Sequence, residues 1–267
     1  MLNRPMTTLA KGTAKSGAGK RAPAQVVYLY AISRMPERRV PAIAAEGVNG
    51  SSPVEAVRCD DVLCWISRVA KSDFADHIVE RMDNLEWLSA AGLRHQRVVG
   101  EIAGKLPTLP ARFATVFLNQ ASLEKHVDER RDAIHDAFAR VADADEWGIK
   151  VFALAPPKLQ PVKAASSGSE YLKRKAKMLQ PRSRGKLEAE LEAFVAALKD
   201  LAAADGPGGK ASAGQPGLVW HGSFLVRRHD RKKLEATLLQ YAKQWHDMRR
   251  IDCSGPWPPY SFVGEDV

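Results

Sequence analysis

The sequence predicts an α+β protein of two domains that ends in an extended tail rich in proline and aromatic residues. Two observations lead to this fold class. Short β-branched and aromatic runs alternate with segments whose apolar residues recur every three or four positions, as expected for strands and amphipathic helices. In addition, a chain of 267 residues is long enough for two domains of ordinary size, each with its own core.

Composition and pattern divide the chain into four parts. Residues 1–24 contain five basic residues and no acidic one, and lack an apolar run, so we expect a disordered basic leader. Residues 25–120 are expected to form an N-terminal α+β domain. Residues 121–253 are expected to form a C-terminal α+β domain with a helical insertion and a mobile loop at 205–217, followed by a tail at 254–267.

The N-terminal domain is expected to begin with a buried strand at 25–32 and a pair of strands between 54 and 69, because both regions are rich in β-branched and aromatic residues. A helical period follows at about 74–90, and the helix either continues or restarts after Gly92. Its predicted inward face consists of Phe74, Ile78, Met82, Leu85 and Leu88. The segment 106–117 contains two prolines and is expected to be a loop entering a strand.

The C-terminal domain is expected to begin with a helical block near Ser122. Its predicted inward face consists of Leu123, Val127, Ile134, Phe138 and Val141. A strand is expected at 146–154, and an exposed linker rich in proline and serine at 155–168. A helix with a clear apolar stripe is then expected at 187–202.

The remaining elements of this domain are a strand at 218–228, a helix at 234–245 and a last strand at 248–253. The order strand, helix, strand, helix, strand suits a sheet with helices on one face. A ferredoxin-like arrangement requires a fourth strand. Splitting the segment 218–228 would supply it, and the pattern leaves this open.

The formal net charge of +9 raises the question of nucleic-acid binding. Outside the leader, basic residues concentrate at 171–186 and 227–233. These segments would form either a patch for a polyanion or ordinary solvated positions balanced by nearby acids. No nucleic-acid-binding motif accompanies them. A basic nucleic-acid-binding or scaffold protein is therefore the alternative function.

No catalytic, cofactor-binding or metal-binding residues are predicted. The sequence lacks the usual nucleophile-elbow, P-loop, dinucleotide and zinc-protease motifs, and the glycine-containing string at 16–21 has no strand before it. His126 and His135 are nine residues apart on one predicted helix, so they face opposite ways and are poor candidates to share a metal.

The cysteines and the hydropathy pattern bear on the cellular compartment. Cys59, Cys64 and Cys253 are an odd number without C-x-x-C spacing, so we expect reduced thiols in a cytosolic protein. No apolar run approaches 18 residues, and no membrane-spanning helix is predicted.

The closing segment GPWPPYSFV at 255–263 is stiff and apolar. Its prolines restrict the backbone, so the segment has little conformational freedom left to lose on docking. We expect it to fold back over the protein, with Trp257 and Tyr260 packed near the domain junction. The alternative is that it fills a groove of a partner.

Six segments in fixed order carry a family resemblance. They are YLYAI at 28–32, LEWLSAAGLRHQRVV at 85–99, LPARFATVF at 109–117, EWGIKV at 146–151, SGSEYLKRK at 167–175 and GPWPPYSFV at 255–263. Together they resemble the gas vesicle accessory proteins of the GvpF/GvpL family, over about residues 25–263. One departure is Ala114, where the family usually has a glycine after the Arg-Phe pair.

The resemblance implies a non-enzymatic minor component located in the gas vesicle, with two α+β domains of which the second is ferredoxin-like. It implies binding to the main shell protein during nucleation or assembly, other minor gas vesicle proteins as further partners, and no cofactor. The family-motif residues are the candidates for partner contact or tail docking: Arg112, Phe113, Thr115, Glu146, Trp147, Tyr171, Trp257, Pro258, Pro259, Tyr260 and Phe262.

Overall fold

The computed structural model describes residues 24–37, 39–154, 184–210 and 215–264. The predicted leader up to residue 23, the linker at 155–168 and Tyr171 lie outside these residues. The described part contains two antiparallel sheets, each covered by helices.

The first sheet has the strand order β2-β3-β1-β4, and β5 also pairs with β1. Its strands are β1 (Gln25–Arg34), β2 (Glu55–Cys59), β3 (Val62–Ala70), β4 (Thr108–Pro110) and β5 (Val116–Phe117). The eight inner residues of β1 are all buried, since Val27 and Leu29 point into one core and Tyr28 and Tyr30 into another. The predicted first strand and the predicted strand pair, which is a hairpin, are confirmed.

A broken helical segment covers one face of this sheet. It consists of a π-helical turn (Ser72–Asp76), α1 (Ile78–Asp83) and α2 (Leu85–Ala103), and α2 runs through Gly92 without a restart. The prediction of one helix from 74 to 90 is wrong, because Asn84 is extended and its side chain caps α2 by accepting from the Trp87 amide at 3.0 Å. Met82 and Leu85 consequently point outward, with Leu85 76% exposed.

Two further helices, α3 (Gln120–Glu129) and α4 (Arg131–Arg140), cover the other face. The predicted inward face of this block is confirmed, since Leu123, Val127, Ile134, Phe138 and Val141 are all buried. These residues share a core with Val27 and Leu29 of the first sheet. The sequence-based division after residue 120 instead grouped both helices with the second sheet.

The second sheet has the order β7-β8-β6-β9, and its neighbouring strands are antiparallel. Its strands are β6 (Ala144–Ala153), β7 (Ala204–Lys210), β8 (Leu218–Arg227) and β9 (Arg249–Trp257), with α5 (Arg184–Leu201) before β7 and α6 (Arg231–Trp245) before β9. This β-α-β-β-α-β order is ferredoxin-like, as predicted. Phe194 of α5 packs against Trp220 and Trp245 in its core.

The fourth strand comes from an unexpected segment. Strand β8 is continuous, whereas residues 204–210 form the edge strand β7, so the predicted mobile loop at 205–217 is wrong over 205–210. A Cβ atom at Gly208 would lie 2.7 Å from the His221 carbonyl oxygen and 2.8 Å from the Gly222 Cα. Glycine at position 208 therefore allows two backbones to approach closely and does not indicate a mobile loop.

The C-terminal segment begins as part of the sheet, since β9 continues to Trp257. The chain then turns back, and Phe262 and Val263 are buried in the core that also contains Leu225 of the second sheet and Leu29 of the first. Tyr260 packs near the junction of the two sheets, and Trp257 lies there as well but is 48% exposed, so it packs against the protein only in part. Its place on an edge strand leaves its ring uncovered.

Candidate functional site

A groove with a volume of about 560 Å³ lies where the two sheets meet. We call it the junction groove. It is lined by the end of α2, the start of β4, the turn between α4 and β6, and the C-terminal segment. Five family-motif residues line it, namely Glu146, Trp257, Pro258, Pro259 and Tyr260. Other lining residues are Gln96, Gly100, Leu106, Pro107, Asp143, Asp145 and Arg228.

Glu146 fixes the C-terminal wall of the groove. Its side chain is largely buried, and its carboxylate accepts from the Ser261 hydroxyl at 2.6 Å and from the Ser261 amide at 2.8 Å. Arg140 adds a third link, because its guanidinium donates to the Phe262 carbonyl at 3.2 Å. Charge-assisted bonds of this kind are stronger than neutral ones, and they hold the segment against β6 and α4.

Trp257 reaches the groove from the end of β9, where it is the strand partner of Glu146. The irregular pairing of β9 with β6 just before it requires glycine. Gly255 has φ +130°, and a Cβ atom there would lie 2.8 Å from the Glu146 carbonyl oxygen and 3.1 Å from the Trp147 ring. This geometry places a half-exposed indole ring at the groove wall.

An aromatic cluster lies behind Tyr260. The ring of His95 lies 6.3 Å from that of Tyr260, 5.8 Å from that of Tyr28 and 5.9 Å from that of Phe113. The Tyr28 hydroxyl accepts from the Ala114 amide at 3.0 Å and is hydrogen-bonded to His95 Nδ1 at 2.9 Å. The cluster ties the C-terminal segment to the first sheet and to α2.

The titratable members of this cluster stay neutral near pH 7. Burial lowers the pKa of His95 to about 4, and the Ala111 carbonyl opposes this shift only in part. Burial also raises the pKa values of Tyr28 and Tyr260 above their usual range. A neutral His95 that is hydrogen-bonded to Tyr28 and packed among aromatic rings is a packing element.

The turn at 112–115 has a backbone conformation at position 114 that suits glycine. The Arg112 carbonyl accepts from the Thr115 amide at 3.2 Å and from the Thr115 hydroxyl at 2.8 Å. Ala114 has φ +67°, in the left-handed region that favours glycine. The turn also positions Phe113 in the aromatic cluster.

The structure therefore separates the predicted site residues. Phe262 is buried in a core and Phe113 packs within the aromatic cluster. Trp147 is buried beneath the Arg231 guanidinium, which lies 5.5 Å from the centre of its ring. Arg112 and Thr115 form the turn. Among the predicted site residues that the structure describes, the five groove residues named above line one surface.

Sequence reasoning missed Asp143, Asp145, Arg228 and Ser261. Asp145 pairs with Arg228 at 3.3 Å across the strand pair β6 and β8. No local signal distinguishes these residues from other charged or hydroxyl residues, because their proximity depends on the sheet register and on the fold-back of the C-terminal segment.

The basic segment at 227–233 is largely balanced by acids. Besides the pair of Arg228 with Asp145, Arg231 pairs with Glu235 at 2.9 Å and Lys233 pairs with Asp230 at 2.7 Å. These ion pairs favour the interpretation that the segment consists of solvated positions balanced by nearby acids. Only the end of the other basic segment, 171–186, lies within the described residues.

The described residues contain neither a cluster of metal ligands nor a helix suited to crossing a membrane. Within the described ranges, no group of three or more His, Cys, Asp and Glu side chains is placed to hold a metal ion. In that part of the chain, no helix has both the length and the apolar character that crossing a membrane requires. The three cysteines are unpaired, as predicted.

Comparison with known proteins agrees with the resemblance found in the sequence. The family model described as "Gas vesicle synthesis protein GvpL/GvpF" matches residues 26–264. "Gas vesicle protein L" of Streptomyces sp. (strain CB03234) is 27% identical over 256 residues, which cover 90% of this chain and 94% of that protein.

Solved structures show the same fold. The crystal structure of gas vesicle protein GvpF from Anabaena sp. PCC7120 matches with a TM-score of 0.63, covering 90% of this chain and 96% of that one. The GvpF structure from Microcystis aeruginosa matches with a TM-score of 0.61, covering 90% and 99%. Both are 17% identical to this chain, so they bear on the fold alone. Because the family model spans nearly all of the described residues, the chain is a gas vesicle protein of the GvpL/GvpF family.

Proposed function

We propose that this protein is a non-enzymatic assembly factor that binds the main gas vesicle shell protein and assists nucleation and growth of the vesicle. Other minor gas vesicle proteins are further partners in this proposal. Membership of the family supports a role in gas vesicle formation. The step from family to shell-protein binding rests on the physical argument that follows.

A protein that builds a water-excluding wall must present an apolar face before it polymerises, and such a face aggregates unless it is covered. A reversible cover requires a surface that is apolar, accessible and already ordered. The junction groove has these properties, since its walls include the half-exposed Trp257 and the ring carbons of Pro258 and Pro259. The convergence of five family-motif residues on this groove carries the proposal.

Co-purification tests the proposal. The full chain and a Trp257→Ala variant would each be co-expressed with the tagged shell protein of the same organism. We expect the shell protein to retain the full chain and to lose most of the variant. Leu239→Ala is the matched control, because Leu239 is a 61% exposed apolar side chain of α6 outside the groove.

Two results would contradict the proposal in whole or in part. One is that the full chain fails to bind the shell protein and vesicle formation is unchanged when its gene is deleted. The other is equal binding by Trp257→Ala and the full chain, which would rule out the groove as the binding surface although binding of the shell protein itself would stand. Steep salt-dependent binding of duplex DNA by the full chain would instead favour the nucleic-acid alternative.

A further inference from the structure

We propose that the junction groove takes a segment of the shell protein that combines apolar side chains with at least one arginine or lysine. The cationic side chain would lie against the Trp257 ring and near the carboxylates of Asp143 and Asp145. This inference rests on the proposed function and specifies the chemistry of the segment that docks.

The charged side chains that line the groove are mostly acidic. Its charged lining residues are Asp143, Asp145, Glu146 and Arg228. The Glu146 carboxylate is already hydrogen-bonded to Ser261, and the Arg228 guanidinium lies 3.3 Å from the Asp145 carboxylate. One guanidinium therefore faces two carboxylates, and Asp143 makes no ion pair with any described residue. The groove is acidic in a chain whose net charge is +9.

Apolar residues line the same groove as these carboxylates. Trp257, Pro258 and Leu106 line the groove, and the Trp257 side chain is 48% exposed. An indole face attracts a cation, and the methylene stem of lysine or arginine packs on apolar surface. A wall of this kind beside carboxylates suits a side chain that is long, apolar along its stem and positive at its tip.

A docking segment without a positive charge would bind the groove less favourably. A purely apolar segment seated in the groove would remove water from Asp143 and Asp145 without replacing it. Burying a carboxylate without a partner is strongly unfavourable. A cation on the docking segment avoids this loss, so the groove favours segments with a basic residue over wholly apolar ones.

The backbone turn that carries Asp143 is formed before any partner arrives. Asp143 has φ +50°, and its carbonyl accepts from the Arg228 amide at 2.8 Å. The Ala144 amide closes the turn by donating to the Val141 carbonyl at 3.2 Å. Because the turn is already formed, little conformational entropy is lost there on binding.

Labelled synthetic peptides test this inference. Overlapping 20-residue peptides would cover the shell protein of the same organism, and fluorescence anisotropy would measure their affinity for the full chain. We expect the bound peptides to contain an arginine or lysine flanked by apolar residues. The variant D143N/D145N should bind them at least about tenfold more weakly at low salt, and added salt should reduce this difference.

Two controls isolate the charge effect. D128N/D132N removes two acids from α3 and α4, outside the groove, and should leave binding unchanged. Replacing the basic residue of a bound peptide by glutamine should weaken binding to the full chain but cause no further loss with D143N/D145N. Asparagine tolerates the positive φ at position 143, and the single variant Asp143→Asn replaces the pair if D143N/D145N melts lower than the parent.

The outcomes separate the two proposals. If D143N/D145N binds every peptide like the parent while Trp257→Ala loses binding, the cationic requirement is wrong and the proposed function stands. If both variants bind like the parent, the groove is not the docking site and this inference fails, whereas binding of the shell protein stands and belongs to another surface. Bound peptides without any basic residue would also overturn the inference.

Discussion

The amide and the hydroxyl of Ser261 both donate to the carboxylate of Glu146, at 2.8 and 2.6 Å, so one side chain of β6 holds the returning C-terminal segment. The segment in turn supplies one wall of the junction groove through Trp257, Pro258 and Tyr260. The shape of the groove therefore depends in part on this buried carboxylate, together with the Arg140 link and the burial of Phe262. This relationship leads to the first of four predictions.

Glu146→Ala should destabilise the protein by about 3 kcal/mol, because two hydrogen bonds to a charged acceptor are lost. In a protein of this size the melting temperature should fall by roughly 6–12 °C. Glu146→Gln should have a smaller effect, since it keeps one acceptor oxygen. Thermal unfolding followed by circular dichroism measures both. Asp252→Ala is the control, because Asp252 pairs with Arg250 on the exposed surface; a loss as large as that of Glu146→Ala would contradict the prediction.

Phe262→Ala should destabilise the protein by about 3–5 kcal/mol, as expected for a buried phenylalanine. Trp257→Ala should have a clearly smaller effect, because nearly half of its side chain is exposed. Removal of residues 258–267, which leaves β9 intact, should lower the melting temperature by several degrees without any partner present. Unchanged melting of the truncated chain with loss of shell-protein binding would show that the segment serves the partner alone.

Ala114→Gly should stabilise the protein by up to about 1 kcal/mol, since glycine removes the steric penalty of a left-handed backbone. Ala114→Val should be destabilising, because a β-branched side chain is least compatible with φ +67°. Equilibrium unfolding in urea measures both changes. A stabilising valine, or a glycine that destabilises by more than about 1 kcal/mol, would argue against this backbone conformation.

Stability should fall as the pH is lowered from about 6.5 to about 4. The pKa of His95 is lowered from its usual 6.5 to about 4 by burial, so the unfolded chain binds more protons in this range and gains stability relative to the folded one. Above pH 6.5 both states hold a neutral imidazole and the contribution is constant. His95→Phe should reduce the difference between urea midpoints at pH 7 and pH 5, with His229→Phe, an exposed histidine, as the control. An unchanged difference in His95→Phe would refute the assignment.

The sequence determined most of the local elements. The β-branched runs marked the positions of β1 and of the hairpin of β2 and β3, and the apolar stripe ending near Ala202 marked α5. These elements are readable because side-chain periodicity is a local property of the chain. The six segments that resemble the gas vesicle family are also contiguous runs of residues, so they indicate the process without any tertiary information.

The predictions of secondary structure were wrong where one local sequence pattern is compatible with two different structures. The apolar period continues across Asn84, yet the asparagine side chain ends one helix and begins the next. The glycine-rich residues of β7 match both a mobile loop and an edge strand, and contact with the His221 carbonyl favours the strand. For β7 the partner backbone that distinguishes the two structures is distant in sequence, whereas the Asn84 cap is a local contact that the continuous apolar period hides.

Only the tertiary structure decided the candidate site. Glu146 and Ser261 are 115 residues apart in the chain, and Asp145 and Arg228 are 83 residues apart. Such contacts follow from sheet order and from the return of the C-terminal segment, neither of which is encoded in the spacing of neighbouring residues. The family motif marked Trp257 as important, but its exposure depends on β9 being an edge strand. Periodicity records which face of an element is apolar, whereas the packing of elements decides which polar groups meet and which rings stay uncovered.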